Sequence, residues 1–341
     1  MISIECLKGL PNDYESFLID KYNSYYTTCR YIEIFYPTYD INHILVREDG
    51  NLIDLLIFGN EGSTATCFNS LVEIGEDIIV ECTKELFKTH ASLQKIIINA
   101  FYKSYNIKRS VLSLKCNDHI VDLPASLDEY YSMLGYHTRK NSKNRKVRLL
   151  RDYPDAKFNV KYGAEIDEQL IDRLLQLNID RMKSKGIVPG SDKDKDRIFQ
   201  YSQHYGCVAY IEIDGVVIAG FISTILGKRI FGHVIAHDDT YGKYNPGEVC
   251  QFYLIQTAIE NGLTRFHYSS GDNEYKKRML ANPHSMFSYI LYRKYSFDYF
   301  YTKIRVTVSI AIADFRLSKY SKPLRDAIKS YRKRKYSTNL T

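Results

Sequence analysis

The chain has 341 residues, 45% hydrophobic and 26% charged, the balance of a folded, water-exposed protein with room for two cored domains. No apolar run approaches a membrane span, the opening MISIECLKGLPNDYE carries no basic-then-apolar leader, and the seven scattered cysteines form no Cys-x-x-Cys pair. A transmembrane protein, a disulfide scaffold and a zinc module are thereby disfavoured, and a reducing, cytoplasmic setting without a bound metal is expected.

The net charge of +7 is concentrated in two places. Residues 137–151 hold seven Lys/Arg and no acid, and residues 316–335 hold nine with one acid, Asp326. These segments carry +7 and +8, so the remainder is −8. Local basic patches on an acidic body suit phosphate groups or an anionic surface better than a general nucleic-acid footprint, and no specific nucleic acid is expected. Thirty tyrosines and no tryptophan are unusual, and the sequence alone supplies no function for them.

In chain order, 43–59 places Asp49-Gly50 between two apolar runs, a strong hairpin signal. A strand (TATCFN), a helix over 76–87 and a strand from Lys95 come after it. The basic stretch 123–150 comes next, then the strand KFNVKYG and helices over 167–185 and 192–205 around the loop KGIVPGSDKD. A second Asp-Gly hairpin, 207–225, leads to the strand RIFGHVIAH, the loop TYGKYNPGE, a helix from Gly247, the strand RFHYSS and then GDNEYKKRML. SMFSYILYRK closes the sheet. In the tail, Ile304, Val306, Val308, Ile310 and Ile312 alternate as in a strand, while Leu324, Ile328 and Tyr331 have helical spacing; helix is favoured. The offsets from Gly50 to the next helix and strand are 26 and 45, and those from Gly215 are 32 and 50, so the chain reads as a degenerate duplication of one α/β unit.

The YNPGE turn, one helix, one strand and then GDxxYK resemble the C-terminal acyltransferase domain of the CelD-type bacterial proteins, a branch of the GNAT superfamily. A second match is LPASLDEYYSMLGYHTRKNSKNRKVRLL, with Leu-Pro-x-Ser, a helix and a basic Thr-Arg-x-Asn segment. Together they cover roughly residues 120–295. Fem-type peptidoglycan aminoacyltransferases share much of this pattern. The resemblance implies an α/β fold with a mixed (α+β) sheet, a tandem GNAT-like arrangement whose second copy is catalytic. It divides the chain into a degenerate domain (1–120), a basic helical connector (121–155), a catalytic domain (156–300) and a basic tail (301–341).

The implied activity is transfer of an acyl group, acetyl foremost, from acyl-CoA to an amine or hydroxyl of a nucleotide- or lipid-linked sugar in bacterial cell-surface polysaccharide synthesis. A Fem-type transferase using aminoacyl-tRNA and an inactive GNAT-like binding module are the alternatives. By analogy with the superfamily, Gly242, Lys243, Tyr244, Asn245, Pro246 and Gly247 hold the donor pyrophosphate at a helix N-terminus, with Tyr268 and Tyr275 nearby, although the usual Gly-x-Gly/Ala loop is absent. His233 and His237 have the same strand parity and are expected on one face, about 13 Å apart, as candidate bases. Asp272 either orients the acceptor, acts as base or caps a helix, and Lys276 neutralises a phosphate or an oxyanion. Arg139, Lys140 and Arg145 are candidates for acceptor phosphates on a glycan partner, and the tail is a candidate contact with an anionic membrane.

Overall fold

The structure is a computed structural model that describes residues 2–184, 186, 194–271 and 273–317, with side-chain surroundings through residue 308. The first half runs β1 (Ile2–Lys8), α1 (Glu15–Tyr22), α2 (Cys29–Phe35), β2 (Asp40–Glu48), β3 (Asn51–Glu61), β4 (Thr64–Cys67), α3 (Glu76–Thr89), β5 (Lys95–Phe101) and β6 (Ser110–Asp122). Helices α4 (Leu127–Met133) and α5 (Tyr136–Asp152) lead on. The second half runs β7 (Lys157–Tyr162), α6 (Glu168–Ser184), α7 (Lys195–Tyr205), β8 (Gly206–Ile213), β9 (Val216–Leu226), β10 (Arg229–His237), α8 (Pro246–Glu260), β11 (Arg265–His267), α9 (Glu274–Arg278), β12 (Asn282–Tyr292) and α10 (Phe297–Leu317).

Local chemistry sets these elements. Asp49-Gly50 and Asp214-Gly215 all have positive φ, as the two central residues of a type I′ hairpin require, and they join β2 to β3 and β8 to β9. The Ser126 side chain accepts from the Glu129 amide and starts α4. In β8, Val208 and Tyr210 pack toward α6, while Cys207, Ala209 and Ile211 pack toward α8. Burial on both faces is why this strand reads as a nearly continuous apolar run. Leu254 and Ile255 of α8 are fully buried, each contributing about 1.5–3 kcal/mol of hydrophobic stabilisation.

The twelve strands of the described residues join one sheet, in the order β1-β2-β3-β4-β5-β12-β6-β11-β10-β9-β8-β7. Each half has the same internal pairing: an antiparallel run, then a parallel pair (β4 with β5, β10 with β11) whose crossover is a helix. The final strands are exchanged. β6 of the first half pairs with β11, and β12 of the second half pairs with β5. β6 and β12 then pair with each other along the central seam, from Ile120 with Asn282 to Ser110 with Leu291. Residues near 118 therefore lie against the second half. Helix α2 packs on α7 across the seam, where Tyr25, Tyr31 and Tyr201 form a shared cluster with Phe231. Part of the tyrosine excess is spent there.

The tail is helical through Leu317, and the rest of the basic segment lies outside the described residues.

Candidate active site

β10 and β11 pair only from Arg229 with Arg265 to Phe231 with His267. Beyond that point they part. Ser269 takes positive φ (58°), and the chain after β11 bonds to β6, with the Tyr268 amide donating to the His119 carbonyl at 2.8 Å. β10 continues along β9 to His237, leaving an open fork between the two strands. A β-bulge between Gly232 and Val234 bends β10 at the fork.

The bulge overturns one expectation. His233 is the extra residue, so side chains after it change faces, and His233 and His237 do not share one. His233 Nε2 lies 2.8 Å from Thr224 Oγ1, and its ring meets Tyr25 edge-on. It opens onto a cavity of about 180 Å³ lined by Tyr31, Tyr201 and Ile222 among others, and its side chain is exposed there, while the protein packed around the ring pushes its pKa down to about 4. His237 faces α8 instead. A Cβ on Gly247 would come within 2.8 Å of its Nδ1, which is the steric reason for glycine there. Its Nε2 is 3.3 Å from Asp239 Oδ1.

The expected phosphate cradle has a different character in the structure. Residues Asp239–Tyr244 form a 3-10 turn, and the Thr240, Tyr241 and Asn245 amides bond to Asp238 Oδ1, the Asp238 carbonyl and the Gly242 carbonyl. The Glu248 and Val249 amides bond to the Asn245 carbonyl. The helix start carries a carboxylate, Glu248, which accepts from Arg145 and from Asn245 Nδ2 (3.0 Å) and lies 4.0 Å from Arg278. Amides spent internally and an acidic side chain at the dipole's positive end fit a pyrophosphate poorly. Tyr244 is buried and donates to Asp152 Oδ2 at 2.6 Å, with Lys243 3.9 Å from the same oxygen.

The other predicted residues are dispersed. Arg145 turns to Glu248, Arg139 donates to the Tyr131 carbonyl (3.4 Å), and Lys140 lies 5.8 Å over the Tyr136 ring. Tyr268 is buried, accepts from Gln251 Nε2 at 2.6 Å, and keeps its proton far above the ordinary phenol range because of burial. The half-buried Tyr275 has its ring 6.1 Å from that of Tyr268. Lys276 is buried, and its ammonium donates to the Ser269 and Ser270 carbonyls (2.9 and 2.7 Å), holding the segment that leaves β11. Asp272 lies outside the described residues.

A group not singled out from the sequence occupies the seam. Asp118 on β6 and His267 on β11 are both buried, with Nδ1 2.7 Å from Asp118 Oδ2, and the Tyr102 hydroxyl donates to the same oxygen at 2.8 Å. Burial raises the carboxyl pKa, but hydrogen bonds from His267 and Tyr102 outweigh it and hold Asp118 below the usual range. An ionised carboxylate only accepts, so Nδ1 carries the proton. Burial lowers the pKa of His267 against the opposing pull of Asp118, leaving Nε2 as a lone-pair acceptor. Nε2 is buried without a hydrogen-bond partner among the described residues, and so is Asp118 Oδ1.

The pair separates two cavities. One, of about 420 Å³, is walled by His267, Tyr102, Lys21, Arg229, Arg265 and His284 with Glu73. Arg265 pairs with Asp122 at 2.9 Å, and Lys21 is 3.9 Å from Asp54. Arg229 is half-buried, donates weakly to the Tyr22 and Asn23 carbonyls, and reaches no carboxylate among the described residues. Burial and the neighbouring Arg265 lower its pKa. Two adjacent guanidinium groups, one without an acid, suit an anionic ligand. The other cavity, of about 340 Å³, lies beside Asp118, Cys116, Ser269 and Ser270 with Tyr26, Tyr31 and Tyr36. Its wall comes mainly from the first half. No group of three or more metal-ligating side chains occurs among the described residues.

Residues 137–277 match the model of an acetyltransferase (GNAT) domain. No curated protein sequence matches the chain. Among solved structures, FemX is similar at 11% identity and a TM-score of 0.62, covering 84% of this chain and 97% of that one. L-PGS from Bacillus licheniformis is similar at 15% identity and 0.55, covering 88% and 97%. A conserved protein of unknown function from Bacteroides thetaiotaomicron is similar at 12% and 0.52, covering 85% and 99%. These identities speak to the fold alone. The chain has a tandem GNAT-like fold with a mixed sheet, and it is an acyltransferase.

Proposed function

We propose that this acyltransferase moves an acyl group, acetyl foremost, from acyl-CoA to an amine or hydroxyl of a nucleotide- or lipid-linked sugar in bacterial cell-surface polysaccharide synthesis. The acceptor's phosphates sit against Arg229 and Arg265 rather than against Arg139 and Arg145. The single observation carrying this is the half-buried Arg229, without an acidic partner among the described residues, in the wall that also holds His267.

The chemistry rests on that geometry. His267 Nε2 takes the proton from the acceptor's N–H or O–H, and Asp118 stabilises the imidazolium that forms. The acceptor atom bonds to the acyl carbon, the bond from that carbon to the donor's leaving atom breaks, and the imidazolium passes its proton to the leaving atom, which restores neutral His267. The fork where β10 and β11 cease to pair lies beside this point.

A second reading, a Fem-type transferase using aminoacyl-tRNA, is favoured by the start of α8. Glu248, Arg145 and Arg278 occupy the place of a CoA pyrophosphate. Thermal shift with acetyl-CoA, longer acyl-CoA and free CoA separates the two. Stabilisation that saturates supports the CoA donor, and no shift with any of them removes it. In the same assay UDP-sugars are expected to stabilise the wild type and not Arg229→Met. Equal shifts in both proteins would displace the acceptor site.

A further inference from the structure

Helix α10 is apolar on two opposite faces. Tyr299, Thr302 and the half-buried Val306 form the inner one, and Tyr299 packs with Val111 of β6 and Tyr292 of β12. Phe297, Phe300, Tyr301, Ile304 and Val308 form the outer one, and Phe297 and Ile304 are 87% and 65% exposed. At about 100° per residue these five fall within an arc of about 100°, opposite the packed face. Lys303 and Arg305 flank the stripe on its two sides, and both are exposed. Phe297 stacks with Tyr301 at 6.4 Å, and Tyr295 with Phe300 at 6.2 Å, so the aromatic rings form one continuous surface. Single exposed apolar residues are ordinary, but a continuous aromatic stripe along a helix marks an interaction surface.

Charge identifies the partner. The sequence from Arg316, in the last turn of this helix, carries nine Lys/Arg against one acid through Lys335. An apolar stripe with flanking cations and a polybasic continuation matches an interfacial helix on an anionic bilayer. No described helix is long and apolar enough to cross a membrane, so α10 would lie along the surface.

We infer that α10 is a membrane-docking helix, inserting Phe297, Phe300, Tyr301, Ile304 and Val308 among the lipids of an anionic surface. The inference is independent of donor and acceptor identity, because it is read by binding alone. Co-sedimentation of the full chain with phosphatidylglycerol–phosphatidylcholine vesicles and with pure phosphatidylcholine vesicles tests it. Partitioning at least tenfold stronger onto the anionic vesicles is expected. A variant combining Phe300→Ser and Ile304→Ser, both at exposed positions, is expected to lose at least tenfold while keeping the wild-type circular dichroism spectrum. Failure of the wild type to bind anionic vesicles, or equal binding by the variant, overturns the inference. So does a solution dimer of the wild type that the variant converts to monomer, since the stripe would then join two copies of the chain.

Discussion

His267 on β11 and Asp118 on β6 meet at 2.7 Å although 149 residues separate them, because the exchanged strand of the first half pairs with the second half at this point. The contact sets the tautomer of the imidazole, while burial keeps its pKa low.

Asp118→Asn is expected to lower kcat by about 100-fold or more with little change in the KM of either substrate. The amide can donate to Nδ1, favouring the tautomer whose Nε2 bears a proton. His267→Gln should give a loss of similar size, and the double variant should be no worse than the singles. Steady-state rates for all three variants check this. Rates within threefold of wild type would remove the pair from the chemistry.

Glu248→Gln is expected to leave Arg145 and Arg278 without their carboxylate at the positive end of α8. If that helix start receives the donor pyrophosphate, calorimetry should show CoA binding at least tenfold tighter than in wild type. Unchanged binding would show that the CoA phosphates do not reach α8.

Lys276→Met removes two hydrogen bonds from a buried ammonium to the segment after β11, so a loss of about 2 kcal/mol in denaturant unfolding is expected. The KM of the acceptor should stay within threefold, because the ammonium is occupied with main-chain carbonyls. A large rise in that KM with unchanged stability would return Lys276 to the role of a phosphate contact.

The protein packed around His233 lowers its pKa from the usual histidine value to about 4, an effect that solvent moderates because the residue is exposed. Below pH about 6.5 the unfolded chain takes up a proton that the folded chain refuses, so this group makes stability fall as the pH drops from about 6.5 toward 4. Urea unfolding at pH 7 and pH 5 should show that fall, and it should be smaller in His233→Gln. The same pH dependence in both proteins would show that His233 does not govern it.

The sequence by itself determined the local elements. Asp-Gly at 49–50 and 214–215 dictates hairpins through positive φ, and the Pro246-Gly247 pair marks the start of α8, because these are properties of a few neighbouring residues. The similar spacing from each hairpin to its next helix and strand also revealed the duplication. Only the tertiary structure decided where the chemistry gathers. A single bulge at Gly232–Val234 reversed the facing of His237 relative to His233, since strand parity holds only while the register is unbroken. Glu248 took Arg145 from 103 residues away, turning an expected acceptor contact into a partner of the α8 start. The exchange of β6 and β12 brought Asp118 and Tyr102 against His267 and Arg265. Residues so distant in the chain become neighbours through strand order, which depends on which edges pair and is not written in any local spacing.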